Sequence, residues 1–340
     1  MNAIELVYID DANVTQEDYL EFLEQHYQER AIYKFGTRRE WYGKKEDYKI
    51  LLAIADSEIV GQSCAYKDIA FINGKEAAVW WGCDNFVLPK TRGKGIGKKL
   101  QKKLHEDLPN FSSAWYSPIN GIIKTKCGSN PLFELKFAYY PVSTFFTIYL
   151  NKVIKKLLKK EFNLKIPLPF FYTLLNKCFG HKEREIKETA YNESIYGFIA
   201  NSTLDEFDFY TKRDKKYLNW RYNENPNLRY YAVEACKGNE TDAVILFTHA
   251  HTEKGITVTK ILDVFKRKGA KVSNKDVLIY VATFFKKKRI TIDGIQFIGE
   301  CNYYPRQINK TSFLSTANIK GEIRKPYISY SDQDMTQMYK

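Results

Sequence analysis

The residues from Asn85 to Leu100 combine an apolar strand, a glycine-rich turn and the start of a helix. Within the turn, Arg92, Gly95 and Gly97 form the pattern R-x-x-G-x-G. Glycines let the backbone approach a ligand closely, so that successive N–H groups can point at phosphate oxygens. The N-terminus of the helix adds its positive end, and each charge-assisted hydrogen bond contributes about 1.5–3 kcal/mol. These residues therefore predict a binding site for a pyrophosphate.

Two other phosphate-binding motifs do not fit the spacing. The Walker loop needs G-x-x-x-x-G-K followed by Ser or Thr, whose hydroxyl binds magnesium. The interval from Gly93 to Lys98 is one residue shorter, and Lys99 replaces the hydroxyl residue. The dinucleotide fingerprint G-x-G-x-x-G is excluded because the glycines here read G-x-G-x-G. The remaining alternative is a solvated connection between a strand and a helix.

Turn residues and hydrophobic periodicity predict the elements that position this turn. Strands are expected at residues 4–9, 50–55, 58–62, 77–84 and 113–116, and helices from Thr15 onward and at 95–108. Thr15 and Asp18 approximate a capping box, and Asn73-Gly74 is a strong hairpin signal. The predicted order is therefore strand, helix, three antiparallel strands, glycine turn, helix and strand.

The longer pattern from Val87 to Gly97, V-x-P-x-x-R-x-x-G-x-G, resembles motif A of the GNAT acyltransferase superfamily. In that family the motif binds the pyrophosphate of coenzyme A, and the predicted order of elements over residues 1–150 matches the family core. The family's strand before the loop splays from its neighbour, and the pantetheine arm lies in the gap. The resemblance implies acyl-CoA as co-substrate and no metal. The residues that it assigns to the cofactor are Phe86, Val87, Arg92, Gly93, Lys94, Gly95, Ile96, Gly97, Lys98 and Asn120.

After residue 190 the order of strands and helices begins again. A helix is expected at residues 210–222, strands at 229–236, 243–249 and 256–265, a helix at 276–288 and a strand at 290–298. The turn at 266–271 lacks the G-x-G pair, so this half is not expected to bind coenzyme A.

The fold predicted on this basis is α+β, with two tandem GNAT-like domains. Each domain is expected to be a mixed, mostly antiparallel sheet flanked by helices. The predicted bounds are 1–150 for the domain with the acyl-CoA site and 191–340 for a degenerate, acceptor-binding domain. Residues 151–190 are expected to form a helical and aromatic junction between them.

Transfer of an acyl group from a thioester to an amine needs a neutral amine, aligned reactants and donors that face the developing oxyanion. Asp84 is the only nearby carboxylate on the strand, and Cys83 and Asn85 have the opposite parity. A β-bulge, common in GNAT relatives here, would shift the parity, so either set can face the substrate. The expected catalytic residues are Asp84 as general base, directly or through water, with Asn85 and Tyr116. An acyl-cysteine intermediate on Cys83 is the rival mechanism.

Many GNAT enzymes use a tyrosine to protonate the departing thiolate, and this chain departs from that pattern. Two alignments with the family place either Phe133 or Cys127 at that position. The thiolate therefore leaves unassisted, or Tyr116, Tyr139 or Tyr140 supplies the proton.

The segment at residues 217–226, Y-L-N-W-R-Y-N-E-N-P, resembles the Y-L-x-W-R-Y element of tandem-GNAT proteins associated with bacterial surface polysaccharide pathways. Aromatic rings suit stacking on a base or a sugar, and arginine suits a pyrophosphate. The residues expected at the acceptor are Trp81, Cys83, Trp220, Arg221 and Tyr222. The alternative is that Trp220 and Tyr222 pack the second domain while Arg221 makes a local ion pair.

Bulk properties narrow the class of protein. With 340 residues the chain exceeds a usual single domain, and its net charge of +13 admits nucleic acid, membrane surfaces or phosphorylated small molecules as partners. The six cysteines have no C-x-x-C spacing, which favours reduced thiols without a structural metal. No run of residues suits a membrane span and the first residues do not resemble a signal peptide, so a cytoplasmic location is expected.

The function expected from the residues and the resemblance is N-acyl transfer. A short acyl group, of acetyl to hydroxybutanoyl size, would move from acyl-CoA to the amine of a nucleotide-linked amino sugar by direct attack in a ternary complex. Within the family the chain resembles FdhC-like acyltransferases of dTDP-linked amino-dideoxyhexoses. The alternatives are a peptide, polyamine or antibiotic amine as acceptor, a Fem-like transferase that uses aminoacyl-tRNA, or a non-enzymatic acyl-CoA sensor. Nucleic acid and stable membrane association are not expected, and the protein is predicted to be a monomer or homodimer.

Overall fold

The elements of the chain are seen in a computed structural model that describes residues 3–27, 39–45, 47–114, 116–141, 184–189, 193–225, 229–251, 257–290, 292–299, 307–316 and 322–329. The strands are β1 Glu5–Tyr8, β2 Tyr48–Ala55, β3 Glu58–Ile72, β4 Lys75–Val87, β5 Phe111–Ser113, β6 Asn130–Pro141, β7 Glu185–Thr189, β8 Phe209–Thr211, β9 Tyr231–Lys237, β10 Glu240–His251, β11 Thr257–Lys266, β12 Gly294–Ile298, β13 Gln307–Ser315 and β14 Pro326–Tyr327. The α-helices of these residues are α1 Gln16–Tyr27, α2 Arg39–Gly43, α3 Ile96–Asp107, α4 Pro118–Lys126, α5 Glu193–Ala200, α6 Lys215–Leu218 and α7 Asn274–Lys287.

The described strands join one mixed sheet of fourteen strands. Its main path follows the order β1-β2-β3-β4-β5-β13-β6-β12-β11-β10-β9-β7, and β8 pairs with β3 and with β14. Most neighbours are antiparallel, while β4 with β5, β11 with β12 and β14 with β8 are parallel. The predicted fold class, α+β with a mixed, mostly antiparallel sheet flanked by helices, is confirmed.

The two halves of the chain exchange strands at the centre of the sheet. β13 lies between β5 and β6, with Leu314 opposite Ser113 on one side and Thr311 opposite Leu135 on the other. β6 in turn lies between β13 and β12. Each half therefore completes its part of the sheet with a strand from the other half. The domain bounds at residues 150 and 191 stay a prediction, and the sheet continues across them.

The junction predicted at residues 151–190 falls largely outside the described residues. Its described part, Glu185–Thr189, is strand β7, which pairs with β9 at the edge of the sheet. The helical and aromatic character predicted for 151–183 concerns residues that the structure does not describe.

The helix predicted at residues 210–222 begins later than expected, and its predicted start is wrong. Phe209–Thr211 form β8, which pairs with the end of β3 and buries Phe209 almost completely. α6 begins only after Asp214, whose side chain accepts a hydrogen bond from the backbone N–H of Tyr217. A π-helical turn at Asn219–Asn223 follows. Pairing with the β3 edge therefore overrides the helical pattern of residues 210–214.

Helix α3 is held against one face of the sheet by a regular apolar stripe. Ile96, Leu100 and Leu104 are spaced four residues apart and are buried against strand residues of β2 and β3, such as Leu51 and Val60. Full burial of such a side chain contributes about 1.5–3 kcal/mol. This packing fixes the N-terminus of α3 at the end of β4.

We expect Phe313→Ala to lower the free energy of unfolding by about 3–5 kcal/mol, because a buried aromatic ring is replaced by a cavity. Phe313 of β13 is fully buried and contacts Trp81, Phe133 and Phe209, with ring centroids 5.6, 4.6 and 5.1 Å away. Chemical denaturation followed by tryptophan fluorescence measures the change.

The matched control is Lys310→Ala on the same strand. Lys310 is exposed and pairs with Glu134 at 3.0 Å, so its loss should change stability by no more than about 1 kcal/mol. Equal effects of the two substitutions would contradict a structural role of β13 in joining the halves.

Candidate active site

An extra residue in β4 shapes the centre of the sheet. β3 and β4 pair regularly except between Cys83 and Phe86, where the two residues Asp84 and Asn85 face the single residue Ser63. Asp84 has a φ of 47°, in the left-handed region. This is a β-bulge, and it changes the face to which successive side chains of β4 point.

β4 and β5 separate immediately before this bulge. The two strands pair only at Trp80 with Phe111 and at Trp81 with Ser112, and β5 ends at Ser113. Within the described part of the chain, no strand lies beside this edge of β4 after Trp81. The gap leads along residues 82–87 to the glycine-rich turn.

The glycine-rich turn joins β4 to α3 through a 3₁₀ turn at Pro89–Thr91. Gly93 and Gly95 have φ values of 82° and 76°, which other residues rarely adopt, and a Cβ atom on either would meet nothing within 4 Å. Gly95 directly precedes α3, and no side chain caps the helix. The N–H groups of its first turn are therefore available to an anion. Arg92 is exposed beside them, and its Nε donates to the Val87 carbonyl at 3.2 Å.

A cavity of about 650 Å³ follows the gap and ends at this turn. Such a volume is typical of ligand sites in proteins. All the residues expected at the cofactor line the cavity except Lys94, which is exposed nearby. The lining residues are Gln62, Ser63, Asn85, Phe86, Val87, Thr91, Arg92, Gly93, Gly95, Ile96, Gly97, Lys98, Leu100, Gln101, Ser117, Ile119, Asn120 and Ile123.

Three polar side chains behind Asn85 were not singled out by the sequence analysis. Lys124 Nζ donates to Gln101 Oε1 at 2.7 Å, and Gln101 Nε2 donates to Ser63 Oγ at 2.8 Å and to Asn85 Oδ1 at 3.0 Å. Ser63 Oγ also donates to Asn85 Oδ1. Ser63, Gln101 and Lys124 are at most 3% exposed. The available signal was a polar residue on the apolar face of a helix, as with Gln101 in α3.

The opposite side of the bulge is held by α1. Tyr19 donates to Gln62 Oε1 at 2.7 Å, and Gln62 Nε2 donates to the backbone carbonyl of Asp84 at 3.2 Å. The Tyr27 hydroxyl donates to Asp84 Oδ1 at 3.3 Å. The half-buried carboxylate of Asp84 therefore lies toward α1, and Asp84 does not line the 650 Å³ cavity.

Burial changes the titration of two groups in this region. The pKa of Lys124 is lowered to about 7, because burial disfavours the ammonium. The pKa of His105 is lowered to about 4, mainly by burial; the bond to the Gln101 carbonyl opposes this shift, and the charge of Lys124 adds to it. His105 Nδ1 lies 2.6 Å from that carbonyl oxygen, which can only accept. Nδ1 therefore carries the proton, and Nε2 accepts from Ser129 Oγ at 2.7 Å.

The tyrosines considered for thiolate protonation do not line the cavity. Tyr116 donates to the backbone carbonyl of Ser312 in β13 at 2.6 Å. Tyr139 donates to the carbonyl of Asp293 at 3.4 Å, and Tyr140, also in β6, is buried. The structure therefore does not bring any of the three next to Asn85.

Trp220, Arg221 and Tyr222, the three predicted acceptor residues of the 217–226 segment, lie in the core rather than at an open surface. Trp220 stacks on Trp41 of α2 with ring centroids 4.6 Å apart, and each indole donates to the other residue's carbonyl, at 2.7 and 2.9 Å. Arg221 is completely buried beside both rings. Tyr222 is buried and donates to Asp263 at 2.6 Å. Of the three predicted acceptor residues in this segment, Trp220 lines a second cavity, of about 390 Å³.

The other two predicted acceptor residues, Trp81 and Cys83, lie on β4 just before the bulge. Trp81 is 1% exposed and Cys83 is 8% exposed, and neither lines the two cavities. The buried Trp81 Nε1 has no hydrogen-bond partner among the described residues. The structure therefore places both residues in the buried core, in the same hydrophobic cluster as Trp220.

In the second half, helix α7 follows β11, and its N-terminus is capped by its own side chains. Ser273 Oγ accepts from the Asp276 backbone N–H at 3.2 Å, and the Asp276 carboxylate accepts from the Ser273 N–H at 2.8 Å. A carboxylate thus occupies the position where an anion would bind a helix N-terminus. In α3 the equivalent position is Gly95, which leaves that place open.

No group of three or more His, Cys, Asp or Glu side chains in the described part of the chain is arranged to hold a metal ion. None of the helices that the structure describes combines the length and apolar character needed to cross a membrane.

Comparison with known families bears on the half of the chain that carries the bulge and the turn. The family model "Acetyltransferase (GNAT) family" matches residues 13–114. Residues 13–114 are therefore similar to GNAT acetyltransferase domains. The homologues found by this match are acyl-CoA-dependent N-acetyltransferases, and the predicted enzyme class is confirmed at this level. No curated protein matches the sequence.

Solved structures share the fold over most of the chain. A GCN5-related N-acetyltransferase from Anabaena variabilis is 12% identical, with a TM-score of 0.55, over 92% of this chain and 72% of that chain. Saccharomyces cerevisiae N-myristoyltransferase with bound myristoyl-CoA is 10% identical, with a TM-score of 0.55, over 95% and 84%. A tandem GNAT protein from the clavulanic acid biosynthesis pathway is 8% identical, with a TM-score of 0.50, over 92% and 98%. At these identities the likeness shows the fold and leaves the acceptor open.

His105 should make the GNAT domain less stable in acid. Its folded pKa of about 4 lies below the usual value of 6.5, so the unfolded chain binds the proton first as the pH falls. The stabilisation is present above pH 6.5 and is lost as the pH falls through about 4. We expect a loss on the order of 1–3 kcal/mol.

Urea denaturation of the wild type and His105→Asn at pH 7, 5.5 and 4.5 measures this loss. The stability advantage of the wild type should shrink as the pH falls. A constant difference between the two proteins would show that His105 titrates normally.

Proposed function

We propose that the 650 Å³ cavity binds acyl-CoA and that the chain transfers the acyl group to an amine. The observation that carries this proposal is the continuous path from the uncapped N-terminus of α3, along the separated edge of β4, to the bulge at Asp84 and Asn85. A diphosphate, an extended amide chain and a thioester require these three environments in this order.

The turn suits the diphosphate by its shape and by its charge. Gly93 and Gly95 leave the backbone open on the cavity side, and the exposed side chains of Arg92, Lys94 and Lys98 are basic. Because Arg92 uses Nε for the Val87 carbonyl, its two terminal nitrogens remain directed to solvent or ligand. Several donors around one anion explain why this helix has no side-chain cap of its own.

The gap beside β4 suits the pantetheine arm. A strand edge without a neighbouring strand offers backbone N–H and C=O groups, and an extended amide chain can pair with them as an added strand does. Ile119 and Ile123 of α4 line the other wall, and Ile119 is 71% exposed. An exposed isoleucine at the mouth of a cavity gains burial when an organic ligand covers it.

Asp84 is the proposed general base for the incoming amine. Its carboxylate lies on the α1 side of β4. An amine that approaches from that side can give its proton to Asp84 while it attacks the carbonyl of a thioester held in the gap. Tyr27 and Gln62 hold the side chain and the backbone of Asp84 in place. The thiolate leaves unassisted in this proposal, because the candidate tyrosines do not line the cavity.

The proposed acceptor is a nucleotide-linked amino sugar, with a dTDP-amino-dideoxyhexose as the first candidate. Its support is the 217–226 resemblance and the 390 Å³ cavity, which is lined by Trp220, five lysines and four acidic residues. Asp68 Oδ2 in that cavity is buried and has no hydrogen-bond partner among the described residues, so a ligand hydroxyl or amine would satisfy it. Arg221 and Tyr222 contribute by holding the segment, since both are buried.

Release of free thiol from several acyl-CoA donors, with a panel of nucleotide-linked amino sugars, peptides and polyamines, tests this function. Turnover with an amino sugar and not with the other amines supports the proposed acceptor. Binding of acyl-CoA by calorimetry without turnover on any amine would favour a sensor. Absence of binding would overturn the proposal.

Gly97→Ala should weaken coenzyme A binding by at least about tenfold, because one methyl group would enter the space where the backbone approaches the diphosphate. The same methyl group costs the free protein little, since its nearest neighbours, Val87 and Ile123, would lie 3.8 and 3.9 Å away. Isothermal titration with coenzyme A measures the affinity.

Gly197→Ala is the matched control for this substitution. Gly197 lies in α5, where a Cβ meets nothing within 4 Å, and it lies away from the cavity. This variant should bind coenzyme A like the wild type. Equal coenzyme A affinities of the wild type, Gly97→Ala and Gly197→Ala would show that the turn is not part of the binding site.

Asp84→Asn should reduce kcat by about 10²–10⁴-fold and leave coenzyme A affinity nearly unchanged, because general base catalysis is lost while the cavity is kept. Cys83→Ser serves as the comparison and should retain a normal rate, which argues against an acyl-cysteine intermediate. Steady-state kinetics of both variants decide between the two mechanisms. A wild-type rate for Asp84→Asn would exclude Asp84 as the base.

A further inference from the structure

The polar side chains behind the cavity form one continuous chain of hydrogen bonds. It runs from Lys124 on α4 through Gln101 on α3 to Ser63 on β3 and Asn85 on β4. Asn85 is its only member that is not fully buried, and it lines the cavity together with Ser63 and Gln101. The hydrogen bonds therefore link the buried Lys124 to the cavity proposed for the ligand.

The direction of every bond in this chain follows from its buried end. When Lys124 is protonated it has donors and no acceptor, so the atom of Gln101 that faces it is the amide oxygen, as the bond from Nζ to Oε1 shows. The amide nitrogen of Gln101 then faces the other way and gives its two hydrogens to Ser63 and Asn85. Asn85 must accordingly present its oxygen to Gln101, and the Ser63 hydroxyl donates to the same oxygen.

The consequence is that Asn85 Oδ1 accepts two hydrogen bonds inside the protein. Its amide nitrogen is turned away from Gln101 and Ser63, toward the cavity that Asn85 lines. An amide without such constraints can rotate by half a turn and offer its oxygen instead. In this structure the cavity meets a hydrogen-bond donor at the bulge.

The packing shows that the fold makes room for the lysine. Lys124 Nζ lies 4.7 Å from the centre of the Phe111 ring. A Cβ atom on Gly82 of β4 would lie 3.3 Å from this nitrogen and 2.7 Å from Phe111. Burying an ammonium costs free energy, and replacement by an apolar residue would avoid that cost. A role in orienting the two amides explains why a lysine occupies this position.

We propose that Lys124 is a positioning residue that acts through Gln101 and Ser63 to hold the Asn85 amide nitrogen toward the cavity, where it donates to a carbonyl oxygen of the acyl-pantetheine chain. This inference rests on the proposed function, because the ligand is the acyl-CoA proposed above. Asn85 is the group that touches the ligand, and Lys124 fixes which end of its amide does so.

Two substitutions test the orientation of the Asn85 amide: one should reverse it and the other should release it. Gln101→Glu keeps the shape and still accepts from Lys124, but it has no hydrogen to give, so the Asn85 nitrogen must turn to it and the Asn85 oxygen must face the cavity. Lys124→Met keeps the length of the side chain and removes the donor that orders the chain. Lys126→Met is the control, since Lys126 is exposed two residues further along α4.

We expect Asn85→Ala to reduce kcat/KM for acetyl-CoA by about 10–100-fold, as for the loss of one donor to a reacting or bound carbonyl. Gln101→Glu should reduce kcat/KM by about the same factor, and Lys124→Met should reduce it by at least about fivefold. Lys126→Met should leave kcat/KM unchanged. In the Asn85→Ala background, Gln101→Glu and Lys124→Met should each change the rate by less than about twofold, because residues that act through one another are not additive. A merely structural role of Lys124 would give the same loss in both backgrounds.

Thermal unfolding of every variant separates loss of orientation from loss of fold. Gln101→Glu retains the pairing with Lys124 and tests the proposal if Lys124→Met unfolds. Calorimetry with coenzyme A and with acetyl-CoA identifies the carbonyl: weaker binding of both ligands indicates a pantetheine amide, and a loss with acetyl-CoA alone indicates the thioester.

The outcomes distinguish this inference from the function on which it rests. If the wild type binds no acyl-CoA, the proposed function fails and this inference fails with it. If the wild type is active and Gln101→Glu is also fully active, or if the effects are additive with Asn85→Ala, the proposed function stands and the positioning role of Lys124 is overturned.

Discussion

Between Cys83 and Phe86, β4 carries two residues opposite one residue of β3, and this mismatch decides what each side of the strand can do. Cys83 and Phe86 are three positions apart, yet both belong to the same buried cluster, where Phe86 packs on Phe22 at 5.6 Å. A regular strand would put one of them on the opposite face. Burial of both side chains stabilises the bulge against the positive φ of Asp84, a strain on the order of 1–3 kcal/mol. The carboxylate of Asp84 and the amide of Asn85 are thereby divided between the two sides of the sheet.

The helices that follow the long strands β4 and β11, α3 in the first half and α7 in the second, begin in different ways. α3 begins at an uncapped glycine, whereas α7 begins with the reciprocal bonds of Ser273 and Asp276. The capping box stabilises α7 by satisfying its own N–H groups, and it also fills the place that an anion would need. The second half instead supplies β13 to the sheet and the partner ring of Trp41. The second half therefore supports the first half at β5, at β6 and at α2.

Local signals in the sequence were sufficient for the turn and most of the neighbouring elements. The spacing of Arg92, Gly95 and Gly97 predicted the open connection before α3, because glycine geometry depends on adjacent residues only. The exchange of β6 and β13 between the halves could not be predicted, because the sequence pattern of a strand does not show which strand it pairs with. One alignment placed Phe133 at the family's thiolate-protonating tyrosine, but Phe133 lies in β6 and stacks on Phe313. Gln101 and Lys124 were also missed, because their pairing depends on how α3 and α4 pack.

The exchange of strands has a consequence for synthesis on the ribosome. Residues up to 141 contain the bulge, the glycine-rich turn and α4, but the strand between β5 and β6 is translated only at 307–315. At 5–20 residues per second, the nascent chain waits about 10–30 s for that strand. During this interval the edges of β5 and β6 have open backbone groups that can recruit chaperones or other chains. The half that carries the glycine-rich turn is thus completed only after residue 315 has been translated.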